Sequence, residues 1–91
     1  MDLIKVAANS RPSAVAGAIA GVIRDNSHAE IQAIGAGAVN QAVKALILAR
    51  GYLKSDGINV FIVPEFSDVS IEHKARTAIK LIIDSETQVA K

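Results

Sequence analysis

The sequence predicts an α+β fold: a two-layer sandwich of order βαβαββ, with a four-stranded mixed sheet and two helices on one face. Three observations carry this. Short segments alternate apolar and polar residues, two longer segments repeat apolar residues at helical spacing, and turn clusters separate them.

Leu3 to Ala8 alternates, with Ile4, Val6 and Ala8 on one side and Leu3, Lys5 and Ala7 on the other, as a first strand requires. Asn9-Ser10-Arg11-Pro12 reads as a helix start, with Asn9 or Ser10 as the capping side chain and Pro12 in the first turn. Val15, Ile19, Val22 and Ile23 then form one stripe of a helix that stops near Asp25-Asn26-Ser27. Ala29 to Ile34 is a second strand, with Ile31 and Ala33 facing one way and Glu30 and Gln32 the other.

Gly35-Ala36-Gly37 turns the chain into a second helix, whose buried stripe is expected at Val39, Val43, Leu46, Ile47 and Leu53. Ser55-Asp56-Gly57 ends it. Ile58 to Val63 is a nearly all-apolar third strand closed by Pro64, an end expected at a sheet edge because proline cannot donate to a ladder. A loop of mixed charge is expected from Ser67 to Lys74. The fourth strand follows at Arg76 to Asp84, with Thr77, Ile79, Leu81 and Ile83 on one face, and a polar, frayed tail from Ser85. Right-handed crossovers put both helices on one face of the sheet and leave the other face uncovered.

All 91 residues are expected to form a single domain. Hydrophobic residues make up 51%, nearly all of them aliphatic, which suffices for a core without staples. Cysteine is absent, so a disulfide framework and a thiolate metal site are excluded, and a reducing cytoplasm is the expected location. No stretch is long and apolar enough for a membrane span, and the N-terminus lacks the features of a signal peptide.

The net charge is only +1, yet it is unevenly distributed. Leu3 to Arg24 holds Lys5, Arg11 and Arg24 without an acid, and Ile31 to Ser55 holds Lys44, Arg50 and Lys54 without one. Two readings stay open: affinity for a polyanion, or ordinary solvated helix faces.

Nothing in the chain reaches a catalytic constellation. Gly35-Ala36-Gly37 allows close backbone approach at a helix N-terminus, but Asn40 stands where a dinucleotide fingerprint needs a small residue. The loop also lacks the Gly-Lys-Ser/Thr ending of an NTPase phosphate loop. No cofactor is expected; a polymer's backbone phosphate asks less of such a loop. His28 and His73 each stand alone without metal-ligand spacing, and both are expected as solvated turn or loop residues. The serines have no evident base partner.

Two stretches carry a family resemblance. Ser10-Arg11-Pro12-Ser13-Ala14-Val15-Ala16-Gly17-Ala18-Ile19-Ala20-Gly21-Val22-Ile23-Arg24 is similar to the first helix of the stage V sporulation protein S family. Glu30 to Ala45, Glu-Ile-Gln-Ala-Ile-Gly-Ala-Gly-Ala-Val-Asn-Gln-Ala-Val-Lys-Ala, is similar to its central signature, and Arg76 to Leu81 fits as well. That family resembles the Alba superfamily, whose βαβαββ members are dimers that bind DNA or RNA. The resemblance implies contacts from Ser10 and Arg11 before Pro12, from Gly35, Ala36, Gly37, Asn40 and Lys44, and from Lys74 and Arg76 on an arm between the last two strands. It also implies a regulatory role in sporulation, in septation and coat assembly.

The pattern departs from Alba proteins in two places. One charge, in Ser10-Arg11, stands where Alba has two lysines, and a neutral Gly35-Ala36-Gly37 stands where Alba has an arginine. Asp68 and Glu72 further dilute the arm. Phosphate neutralisation dominates nucleic-acid affinity, so binding is expected to be weak and salt-sensitive. Few aromatics argue against base stacking on single strands.

On the second helix, Gln41, Ala45, Leu48 and Tyr52 are expected to face outward as a homodimer or higher homo-oligomer surface. On the first, Ala14, Gly17 and Gly21 fall on the outer side. Two functions follow as alternatives: a non-enzymatic nucleic-acid-binding regulator, or a protein-assembly module with a sporulation partner that has lost strong nucleic-acid binding. A small-molecule sensor built on the glycine loop has no catalytic group behind it.

Overall fold

In the computed structural model, which describes residues 3–87, the alternating segments become four strands in one sheet. β1 (Leu3–Val6) pairs in parallel with β2 (His28–Ala33). β2 pairs antiparallel with β4 (Lys74–Thr87), and β4 pairs antiparallel with β3 (Ile58–Ile71). The sheet order is β1-β2-β4-β3. β1, β2 and β3 therefore run in one direction and β4 against them. α1 (Pro12–Asn26) and α2 (Ala36–Lys54) pack against each other and share one core with the sheet. The expected βαβαββ sandwich with a mixed sheet is the observed architecture.

Ile19 and Ile23 of α1, Leu53 of α2, Ile31 of β2 and Ile83 of β4 are the largest fully buried side chains. The same core cluster holds six helix alanines: Ala16 and Ala20 from α1, and Ala38, Ala42, Ala45 and Ala49 from α2. Their burial corrects the expected stripe of α2. Val43 and Ile47 face outward, 45% and 62% exposed, while Ala45, expected on the outer surface, is fully buried. The helix is apolar on nearly every side, so hydrophobicity alone cannot choose its inner face. Volume chooses it: alanines let α2 approach α1 and the sheet, where valine and isoleucine would hold it off. On α1, Val15 and Val22 likewise flank the core rather than fill it.

The largest correction concerns β3 and β4. The expected loop from Ser67 to Lys74 is a β-hairpin arm: β3 continues through Pro64 to Ile71, and β4 begins at Lys74. Pro64 is tolerated because β3 is an edge strand with β4 as its only neighbour. Beyond Phe66 and Ile79 the two strands pair only with each other, since β2 ends at Ala33 opposite Ile79. The projecting arm stretches the molecule to 51 Å along its longest axis. At the other end β4 runs past Asp84 to Thr87, so Ser85 to Thr87 belong to the sheet and not to a frayed tail. Residues 88–91 of that expected tail lie outside the described residues.

The arm's turn is Glu72-His73, with φ of 50° and 66°. Two consecutive left-handed residues in a two-residue hairpin loop normally call for Asn-Gly. Replacing Glu72-His73 by Asn-Gly is expected to stabilise the protein by about 1 kcal/mol, since left-handed backbone strains L-residues with a Cβ. A rise in the urea midpoint at unchanged slope would report it; an unchanged midpoint would show the turn to be unstrained.

Candidate nucleic-acid interface

Because β1, β2 and β3 run in the same direction, whatever follows their C-terminal ends emerges at one end of the sheet. There stand the turn into α1, the turn into α2, and the arm. The three regions singled out from the sequence, scattered along the chain, are thereby gathered.

The turn into α1 is held from two sides. The Ser10 hydroxyl accepts the Ala7 N–H at 2.8 Å, and the Ser10 N–H donates to the Ala7 carbonyl at 3.0 Å. Ser10 thus shapes the turn instead of capping the helix. Arg11 is the N-cap residue, in extended backbone and without a capping side-chain bond, and Pro12 follows in the first turn. From α2, the Gln41 side-chain amide donates to the Ser10 carbonyl at 2.9 Å. Gln41 is accordingly half-buried, and its amide is occupied within the chain.

The turn into α2 is set by Gly35, at φ 91° and ψ 155°, a conformation open essentially to glycine alone. Its carbonyl accepts the Val39 N–H at 3.1 Å. Gly37 answers to packing: a Cβ there would stand 2.9 Å from the Ala8 Cβ. The start of α2 therefore lies directly on the chain leaving β1. Ala36, Gly37 and Asn40 are exposed at this end.

The electrostatics of the three regions agree. Neither helix carries an acid in its first turn, so the positive ends of both dipoles stand uncompensated. Arg11, Lys44, Lys74 and Arg76 are exposed and make no ion pair among the described residues. On the arm, Arg76 is paired with Val69 and Lys74 with Ile71, which places both cations on the face turned away from the helices. The arm borders a cleft of about 510 Å³ lined by Lys5, Ala7, Gln32, Ile34, Val69 and Ile71. Lys5, which the sequence reading counted among the cations without a nearby acid, is a further uncommitted cation here among the described residues.

Of the expected self-association residues, Leu48 and Tyr52 are exposed, at 38% and 42%. Ala45 is excluded because it is buried in the core. Val43 and Ile47, which the sequence reading had assigned to the core, are also exposed, on a different flank of α2 from Leu48 and Tyr52.

His28 is also corrected. It opens β2 rather than a loop, and its two ring nitrogens meet Asp84 at 2.5 Å and Glu30 at 2.9 Å. Lys80 stands 3.5 Å from the other Glu30 oxygen. These four lie on the uncovered face, running from the strand ends at His28 and Asp84 to Lys80 near the base of the arm. Among the described residues no cluster of three or more His, Asp or Glu side chains is arranged to hold a metal ion. No helix is long and apolar enough to cross a membrane.

Comparison with known proteins identifies the family and the fold. The family model described as Stage V sporulation protein S matches residues 2–86, and the chain belongs to that family. Among solved structures the chain is similar to Alba from Thermoplasma volcanium. The two share 16% identity, with 92% of this chain and 98% of that chain covered and a TM-score of 0.60. At that identity the likeness establishes an Alba-like fold.

The contact between Gly37 and Ala8 gives a direct test of how the site is held. Gly37→Ala is expected to destabilise the protein by about 1–3 kcal/mol through overpacking, despite alanine's better helix propensity. Adding Ala8→Gly removes the clash and should recover part of the loss in a double-mutant cycle of urea melts. Equal, additive losses would mean that the two backbones are not in contact.

Proposed function

We propose that this member of the stage V sporulation protein S family is a non-enzymatic, nucleic-acid-binding regulator of sporulation that works as an Alba-like dimer. One observation carries the reading: three separate elements bring uncommitted cations and acid-free helix N-termini to one end of the sheet. In this reading Arg11 meets phosphates at the start of α1, Lys44 meets them from more than two turns into α2, and Lys74 and Arg76 meet them from the arm. Gly35, Ala36 and Gly37 let the strand approach the backbone N–H groups, and Asn40 supplies an amide. Ser10 contributes through the turn it holds. The role in septation and coat assembly rests on the family resemblance alone.

The partner surface for the second copy is drawn on α2, around Val43, Ile47, Leu48 and Tyr52. Four exposed apolar side chains on one helix are more than a solvated face needs. The same observation favours the second reading, a protein-assembly module in which this face takes a different protein and the cations merely keep the chain soluble.

Fluorescence anisotropy of labelled duplex DNA, single-stranded DNA and RNA at several salt concentrations separates the two. Nucleic-acid binding predicts saturation, with affinity falling linearly in log–log against salt. Arg11→Glu with Lys44→Glu should weaken it at least about tenfold, and each lost phosphate contact should lower the salt slope by about 1. Flat titrations at low salt would reject this function in favour of protein assembly.

Self-association has its own readout. Sedimentation of the parent is expected to show a dimer, and Ile47→Glu to yield monomer with an unchanged circular dichroism spectrum, since Ile47 lies outside the core. A monomeric parent, or a dimeric Ile47→Glu variant, would remove α2 as the dimer surface.

A further inference from the structure

His28, Glu30, Lys80 and Asp84 lie on the sheet face opposite the helices, where the proposed nucleic-acid and dimer surfaces have no use for them. Their placement follows from the register. His28 and Asp84 are direct partners across β2 and β4. Glu30 follows His28 on the same face of β2, and its partner Ile82 stands between Lys80 and Asp84. Glu30 and Lys80 are thus diagonal neighbours, within reach of each other's long side chains.

The geometry at His28 has a chemical requirement. A neutral imidazole carries one N–H, so only one of its nitrogens can donate. Here both nitrogens face carboxylate oxygens, at 2.5 and 2.9 Å. With a neutral ring, one of those contacts would set lone pair against lone pair. The charged imidazolium satisfies both, and both bonds are then charge-assisted. We infer that these four side chains form a proton-operated clasp between β2 and β4, closed while His28 is charged and opened when it loses its proton.

The surrounding charges support a switch of this kind. When closed, the cluster balances: His28 and Lys80 against Asp84 and Glu30. On opening, one negative charge is left over on the uncovered face. Among the described residues the neighbouring strands set one further cation near the cluster, Lys5, diagonal to Glu30 and away from Asp84. β3 sets Phe61 opposite Asp84 and Glu65 opposite Lys80, and Glu86 follows Asp84 on β4. β1 sets Leu3 opposite Glu30, with Lys5 one row further on, opposite Gln32. At the end of α1, Arg24 is engaged by Asp56 at 2.7 Å, and Asp25 adds only negative charge. The bonds from the Ser85 N–H and hydroxyl to the Ser27 carbonyl, at 3.0 and 3.1 Å, hold the same strand ends without a titratable group. Opening therefore loosens the clasp without unzipping the sheet.

The direction of the linkage is fixed by the two groups. Bonds to Asp84, then to Glu30, raise the His28 pKa above its ordinary 6.5. The bond from His28, then the charge of Lys80, lowers the Glu30 pKa below 4.5. The raised His28 value gives stability that is complete below the unfolded pKa and is lost as pH rises through the folded one. The lowered Glu30 value gives stability present above its unfolded pKa and lost as pH falls through the folded one. Together they place the clasp's contribution on mildly acidic pH.

The test is an NMR titration of the His28 ring in the intact chain, paired with melting temperatures from about pH 5 to pH 9. The expected midpoint lies above 6.5 and falls in both Asp84→Asn and Glu30→Gln. The parent's melting temperature should fall as pH rises through that midpoint, and this decline should be absent in His28→Gln. A parent midpoint at or below 6.5 overturns the clasp without reference to any variant. So does a His28→Gln profile that runs parallel to the parent's.

Discussion

The burial of six small helix residues, all alanine, is the constraint on which the other features rest. Ala16, Ala20, Ala38, Ala42, Ala45 and Ala49 are all buried, and none adds more than a methyl group to the space between backbones. Each buries little apolar area, so the large side chains of Ile19, Ile23, Ile31, Leu53 and Ile83 supply most of the hydrophobic drive. The alanines supply distance. They let α2 settle close enough that Gly37 touches Ala8 and Gln41 reaches the Ser10 carbonyl. Those two contacts set the starts of the helices beside each other. The same choice of inner face turns Val43 and Ile47 outward, so the core packing also leaves large apolar side chains exposed on α2.

The sequence made the architecture legible because its signals were redundant. Three strands alternate and the third is a short apolar run, each helix has a start and a stop, and right-handed crossovers leave few arrangements. Two features were illegible for opposite reasons. In α2 the apolar signal was too rich: valine, isoleucine, leucine and alanine occupy several stripes, and only the packing distance selects one. In the arm it was too poor. Ser67 to Ile71 mixes serine, aspartate and apolar residues, Pro64 looked like a terminator, and Glu72-His73 lacks the Asn-Gly signature of a tight hairpin. Of the candidate contact residues, Arg11, Lys44, Lys74 and Arg76 are exposed, Lys74 in β4 rather than in the expected loop. Gln41 and Ala45 turned out to be occupied inside the chain. His28 was passed over because its partners lie 2 and 56 residues away, and only Glu30 is near enough to be visible as a pattern.

Few cations stand at the candidate interface, so their freedom matters more than their number. A lysine already paired with a carboxylate must break that pair to meet a phosphate, and the two interactions largely cancel. Arg11, Lys44, Lys74 and Arg76 face no such exchange among the described residues, and the helix N-termini contribute fixed partial charge without an entropic cost. The acids of the chain are placed to leave this arrangement intact. Asp56 is taken up by Arg24 and Glu30 by His28 and Lys80, all away from the helix starts. Asp68 pairs with Thr77 across the arm, on the face opposite Arg76 and Lys74. Its charge dilutes the arm's net charge but does not quench either cation directly.

The sheet has two free edges, and their properties bear on how copies of the chain would meet. β1 offers only Leu3–Val6, too short a ladder for a firm strand-to-strand contact. β3 is much longer, Ile58–Ile71, and carries exposed Phe61, Val63 and Phe66. A long apolar edge of that kind would template pairing with another chain. Pro64 interrupts it near the middle, however, and Glu65 and Asp68 place charge on either side of Phe66. Proline removes a donor from the ladder, and like charges meeting across an edge-to-edge pair would repel. Sheet extension is thus obstructed where it would otherwise be easiest. The outer side of α2 has no such guard: Val43 and Ile47 are exposed on one flank and Leu48 and Tyr52 on the other, without a carboxylate anywhere on the helix. Of the surfaces available for self-association, the helix face is the one the chain leaves unprotected.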